Sequence, residues 1–138
     1  MNGAENKGSA NDEAYVNAYY YFHNALVILA ENAEVQCQKM GYFNVAWELK
    51  NDVISNGYAI LDTIDPILSA QQMDHLTRLL ESVADIPDSS VNVENSKEAH
   101  LRAMRCPRWI PLRAQAKQLL CLLEAETDRV NAILGVNR

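Results

Sequence analysis

The sequence predicts an all-α protein, an antiparallel helical bundle of four main helices plus one short helix. Apolar residues recur at steps of three and four along most of the chain, the period of a helix with one buried face. No strand-like alternation of useful length competes, and five Gly and four Pro in 138 residues are too few for a turn-rich β architecture. With 49% apolar and 22% charged residues the composition is that of a globular chain, and its length fits a single domain over 12–138 behind a tail over 1–11.

The tail is rich in Asn, Gly, Ser and Ala, reads as flexible, and ends where Asn11 or Asp12 can cap a helix. Tyr15, Tyr19, Phe22, Leu26, Leu29, Ala33, Cys37 and Met40 then mark one face of a long first helix that stops near Gly41. A second helix runs from about Asn44 to Ile64, with Ala46, Trp47, Val53, Ile54, Tyr58, Leu61 and Ile64 facing inward; Pro66 ends it by driving Asp65 out of helical geometry. Gly57 within it costs about 1 kcal/mol relative to alanine, and its absent side chain permits a close helix contact. Ser69 and Gln72 have capping-box spacing ahead of a third helix, carrying Met73, Leu76, Leu80 and Val83, that Pro87 terminates. The span 88–94 reads as a loop. Asn95 or Ser96 opens a short fourth helix that runs to about Arg105 and is broken by Pro107. Pro111 suits a first helical turn, and Leu112, Ala116, Leu119, Leu120, Leu123, Val130, Ile133 and Leu134 make one last long helix closed by Gly135.

Charge is distributed unevenly. From Lys97 to Lys117 six cations face the single acid Glu98, a local balance of +5 in a chain of net charge −6. The 96 residues before that segment balance at −10. A cationic segment in an anionic body is an electrostatic address for something acidic. The overall acidity argues against nucleic acid, which a basic domain usually binds.

Three cysteines, Cys37, Cys106 and Cys121, show no CxxC or Cys/His spacing of a zinc site and no even-numbered disulfide framework. With no apolar leader at the N-terminus, a reducing cytoplasm is the expected compartment. The most apolar stretch, Ala25 to Ala30, falls far short of the roughly 20 residues needed to span a bilayer, so no membrane partner is expected.

Within the cationic segment, Arg102, Arg105, Arg108, Trp109 and Arg113 are the candidate partner-binding residues. Arg and Trp combine large contact area with directional hydrogen bonding and are enriched among interface hot spots. Arg102 and Arg105 share a helix face, and Arg108 and Trp109 fall in a connection bounded by Pro107 and Pro111. The bland alternative is that Trp109 closes the end of the bundle and the arginines pair with its own acids.

A second constellation is acidic. Glu31 and Glu34 form ExxE, Glu48 and Asp52 follow on the next helix, and Asp62 and Asp65 make a further pair. Carboxylates three or four apart share a helix side, and two facing pairs suit Mg²⁺. Over Glu31 to Asp52 the arrangement resembles the all-α nucleotide pyrophosphohydrolases, whose ExxE is followed by ExxD on the next helix. Here the spacing is ExxxD, and DxxD at Asp62 and Asp65 replaces the expected Glu and runs into Pro66. The resemblance implies a Mg²⁺-dependent hydrolase of nucleoside triphosphates. A solvated helix face is the plainer reading, and no metal ligand is assigned.

His23 reads as a core imidazole, and neither His75 nor His100 has ligand spacing to a neighbour. Cys37 and Cys121 read as core, and Cys106 lies in a positive field without a base. No catalytic residue and no cofactor is assigned. Four tyrosines, Tyr15, Tyr19, Tyr20 and Tyr21, sweep around the first helix, so at least one is exposed and suits an interface, including a homodimer. The function expected from these features is a non-enzymatic protein that binds and modulates another protein, immunity- or antitoxin-like in general character. A Mg²⁺-dependent nucleotide hydrolase and a homo-oligomeric structural subunit are the alternatives.

Overall fold

The computed structural model describes residues 2–63 and 67–135, with side chains from residue 13 onward. Among the described residues the protein is all-helical, with eight helices and no strand, as the periodicity requires. None of these helices is long and apolar enough to cross a membrane.

Helix α1 (Asn2–Leu29) begins earlier and ends earlier than the sequence suggests. The backbone expected to form a tail is helical from Asn2, ahead of the caps expected at Asn11 or Asp12; Ala4, Glu5, Lys7 and Ala10 all favour that state. The predicted continuation to Met40 is interrupted. Asn32 takes extended geometry and its side chain accepts the Val35 N–H at 2.9 Å, starting α2 (Ala33–Lys39). The Gln36 side-chain amide donates to the Leu29 carbonyl at 3.0 Å, satisfying a backbone acceptor that the break releases. Ala33 and Cys37 remain buried, so the apolar spacing survives the change of helix. Gly41 supplies a left-handed residue after α2, and Tyr42 and Asn44 are left-handed too.

Helix α3 (Val45–Leu61) buries Leu49, Val53 and Ile60. Ile64, Asp65 and Pro66, expected to close it, lie outside the described residues. Trp47 and Tyr58 do not face inward as predicted; they are 43% and 42% exposed. The inner face runs through Leu49, Val53, Gly57 and Ile60, and this leaves both rings on another flank. Gly57 makes the expected close contact, since a methyl added there would lie 2.5 Å from Leu80 Cδ2. Leu80 belongs to α4 (Ala70–Ala84), which opens with a complete capping box: the Gln72 N–H donates to Ser69 Oγ at 3.1 Å and the Ser69 N–H to Gln72 Oε1 at 2.8 Å. The Gln72 side chain also donates to the Leu122 carbonyl at 3.0 Å, fastening the start of α4 to the end of α7 (Trp109–Leu122).

The expected loop at 88–94 contains one helical turn, α5 (Asp88–Val91), with Val91 buried. Lys50 from α3 reaches the Ile86 carbonyl just before it, at 2.5 Å. Ser96 caps α6 (Lys97–Met104), which is separate from α7. The single last helix predicted through Leu134 is cut at Leu123, after which α8 (Glu124–Leu134) begins. The Leu123 carbonyl accepts both the Thr127 N–H and the Tyr19 hydroxyl, at 2.8 and 3.2 Å. Ile133 and Leu134, expected in the core, are exposed, whereas Thr127 and Val130 are buried.

Helix α1 packs on α3, α7 and α8, α3 on α4, and α4 on α7, while α6 lies against α2 and α3. Tyr15, Tyr19, Phe22, Leu26, Leu49, Leu80, Trp109 and Leu119 are among the largest side chains of the core they enclose.

Candidate docking surface

The cationic segment occupies α6, the turn after it and the first two turns of α7. Its residues divide by direction. Trp109 is 0% exposed and belongs to the core, which corrects its expected place in a contact surface. The cause is helical register. Leu112, Ala116 and Leu119 form the buried face of α7, and stepping back three residues from Leu112 lands on Trp109.

Arg113 also faces inward. It is half-buried, donates to Gln36 Oε1 at 3.0 Å and bonds the Met104 carbonyl. Because Gln36 in turn donates to the Leu29 carbonyl, this one guanidinium links α7 to α2, to the end of α1 and to the end of α6. Burial lowers the pKa of Arg113, with Glu34 and Cys37 acting in the opposite sense. Arg113, expected as a contact residue, thus acts as a strut between these helices.

Arg105 stands between the two groups. Its guanidinium pairs with Glu34 of α2, Nε to Oε2 measuring 3.0 Å, and both side chains are half exposed. Arg105 holds the Glu34 carboxyl below the usual range, aided by Glu34's own backbone N–H. Lys97, at the start of α6, places its ammonium 4.9 Å from the centre of the Tyr42 ring. Together these contacts latch α6 onto α2 and the turn behind it.

Arg102 and Arg108 point outward, and neither forms an ion pair among the described residues. Arg102 stands on a groove of about 270 Å³ lined by Val93, Glu94, Ala99, Ala103 and Cys106. Small side chains on this face of α6 leave the space. Sequence reasoning missed Ile110, which is 60% exposed and follows Arg108 by two residues. The signal was available: if Trp109 lies on the buried stripe, the next residue is turned about 100° away from it. The outward surface is thus Arg102, Arg108 and Ile110, with Arg105 at its edge.

The acidic constellation does not assemble. Glu31 pairs with Lys39 at 3.3 Å and Glu34 with Arg105. Among the described residues no three His, Cys, Asp or Glu side chains converge as a metal site would require. Glu31, Glu34, Glu48 and Asp52 therefore do not form the facing pairs that the pyrophosphohydrolase resemblance implies, and Asp65 lies outside the described residues.

The imidazole in the core is that of His100, bonded to Asn95 Oδ1 at 3.1 Å, whereas His23 is half-buried and stacks on Tyr19. Cys37 is buried, and that burial raises its thiol pKa; Cys121, expected in the core, is exposed. Tyr15 and Tyr19 are buried while Tyr20 and Tyr21 are exposed. The Tyr15 hydroxyl donates to Glu126 at 2.5 Å, and Arg129 grips the same carboxylate. The chain matches no family model, no curated protein and no solved structure.

Proposed function

We propose that this protein is a non-enzymatic binding module that docks on an acidic surface of another protein and modulates or neutralises it, in the general manner of an immunity protein or antitoxin acting in the cytoplasm. The helices α1, α3, α4 and α7 would serve as the four walls of an antiparallel bundle that presents α6 and the turn behind it. The observation that carries the reading is that Arg102 and Arg108 are exposed and form no ion pair among the described residues, in a segment that also exposes Ile110. Arginine forks offer bidentate recognition of carboxylates, and an exposed aliphatic side chain supplies contact area. A groove of about 270 Å³ beside Arg102, lined by Val93, Ala99 and Ala103, offers room for a partner side chain.

The test is a nuclease-treated pull-down from host lysate with wild type, the Arg102→Glu/Arg108→Glu variant and Glu81→Lys as a control on α4, each first shown to be folded by circular dichroism. A stoichiometric protein retained by wild type and Glu81→Lys, and absent with the double variant, is the expected result. The same proteins on all three baits, or none on any, would remove the assignment. Arg105 is left intact because a glutamate there would face Glu34 and disturb the latch.

A homo-oligomer is the second reading, favoured by the exposed rings of Tyr20 and Tyr21. Sedimentation velocity over a range of concentrations distinguishes it, a single monomeric species counting against it.

A further inference from the structure

A second concavity lies on another part of the molecule, between α1 and α3, and has a different chemistry. It encloses about 180 Å³. Ile28 and Met40 contribute apolar wall over the buried Leu49, Asn24 and Asn56 contribute amides, and Tyr21 and Asp52 stand at its rim. The Tyr21 ring is 60% exposed although it belongs to an otherwise well-packed helix. Asp52 forms no ion pair among the described residues, and no lysine or arginine lines the groove. Desolvation, with Glu48 one turn away, raises the Asp52 pKa.

We infer that the groove between α1 and α3 receives a lysine or arginine side chain of a partner polypeptide, its alkyl stem against Ile28 and Met40 and its cationic head between Asp52, the two asparagine amides and the Tyr21 ring. Each part of such a side chain meets a matching part of the groove. The stem needs apolar contact, which long cationic side chains make readily. The head needs an anion, carbonyl acceptors and an aromatic face, and Asp52, the Asn24 and Asn56 side chains and Tyr21 supply these. The volume decides the size of the occupant, since about 180 Å³ is well below the roughly 300–1,000 Å³ of sites that take drug-sized ligands or cofactors. Charge decides its source. Two copies of a chain of net charge −6 repel, which weighs against Arg102 or Arg108 of a second copy and leaves a different, basic polypeptide as the better occupant.

The experiment is a titration of the isotope-labelled full chain with N-acetyl-lysine methylamide and N-acetyl-arginine methylamide, followed through the backbone and asparagine side-chain amide signals. N-acetyl-norleucine methylamide, of similar shape without charge, and n-butylammonium are the comparison probes. Saturable shifts at the Asn24 and Asn56 side chains are expected with the two cationic residues, with a Kd on the order of 1–10 mM for a single side chain. The Asp52→Asn variant, altered at an exposed position, is expected to weaken them about tenfold or more. Norleucine binding as well as lysine, Asp52→Asn titrating as wild type, or shifts scattered over the acidic surface without Asn24 and Asn56 would overturn the inference. Tighter binding of n-butylammonium than of blocked lysine would overturn the polypeptide source. The outcome is independent of Arg102 and Arg108, so failure of either site leaves the other standing.

Discussion

Arg108 and Arg113 belong to the same cationic segment, yet one projects into solvent and the other threads between helices to bond Gln36 and the Met104 carbonyl. Trp109 and Ile110 repeat the contrast among the large apolar residues, the first fully buried and the second 60% exposed. The inward set holds α1, α2, α6 and α7 together, and the outward set forms no ion pair among the described residues. Clustered charge in a sequence is therefore not yet an interface. Direction on the helix, set by which neighbours pack against it, separates struts from contacts.

The comparison breaks most visibly at Trp109. Trp109→Ala is expected to cost about 3–5 kcal/mol of stability, a large part of what a domain of this size possesses, and Trp109→Phe less. Ile110→Ala is expected to change stability by no more than about 0.5 kcal/mol. Urea unfolding of the three variants checks both halves, and equal losses at the two positions would dissolve the distinction.

Arg113→Met comes next. It keeps the aliphatic stem but leaves Gln36 Oε1 and the Met104 carbonyl without their donor, a loss of about 1–3 kcal/mol. Arg108→Met, at an exposed position with no ion pair, is expected to stay within about 0.5 kcal/mol. Chemical denaturation of the two, side by side, sharpens the assignment of one as strut and the other as contact.

The smallest effect is that of the half-exposed Glu34–Arg105 pair. The folded-state pKa of Glu34 is lowered, chiefly by Arg105, so its stabilisation is present above the unfolded glutamate pKa of about 4.3 and is lost as pH falls through the lower folded value. Wild type is accordingly expected to melt slightly higher than Glu34→Gln near neutral pH, with the gap closing on acidification and shrinking in high salt. A gap that is constant from pH 7 to strongly acid conditions would show that the ion pair is not its source.

Local chemistry was legible wherever a few neighbouring residues settle the outcome. Ser69 and Gln72 cap α4, Ser96 caps α6 and Gly135 closes α8 in a left-handed turn, each through contacts within one helical turn. Gly57 announced a close approach that Leu80 fills. Less legible were the breaks inside long apolar patterns. Asn32 and Leu123 interrupt helices whose apolar spacing continues past them, and long-range or cross-break bonds meet the chain there, Gln36 at the Leu29 carbonyl and Tyr19 at the Leu123 carbonyl. The candidate surface was half legible: Arg102 and Arg108 face outward, Trp109 and Arg113 do not, and Ile110 was overlooked.

By itself the sequence determined the all-helical class, the helix starts at Asn44, Ser69 and Ser96, and the concentration of positive charge between Lys97 and Lys117 in an acidic chain, since periodicity, capping and composition act over short range. Only the tertiary structure decided which of those cations are spoken for. Whether an arginine meets Glu34, Gln36 or open solvent depends on residues some seventy positions away along the chain, and long-range packing alone brings them within hydrogen-bonding distance.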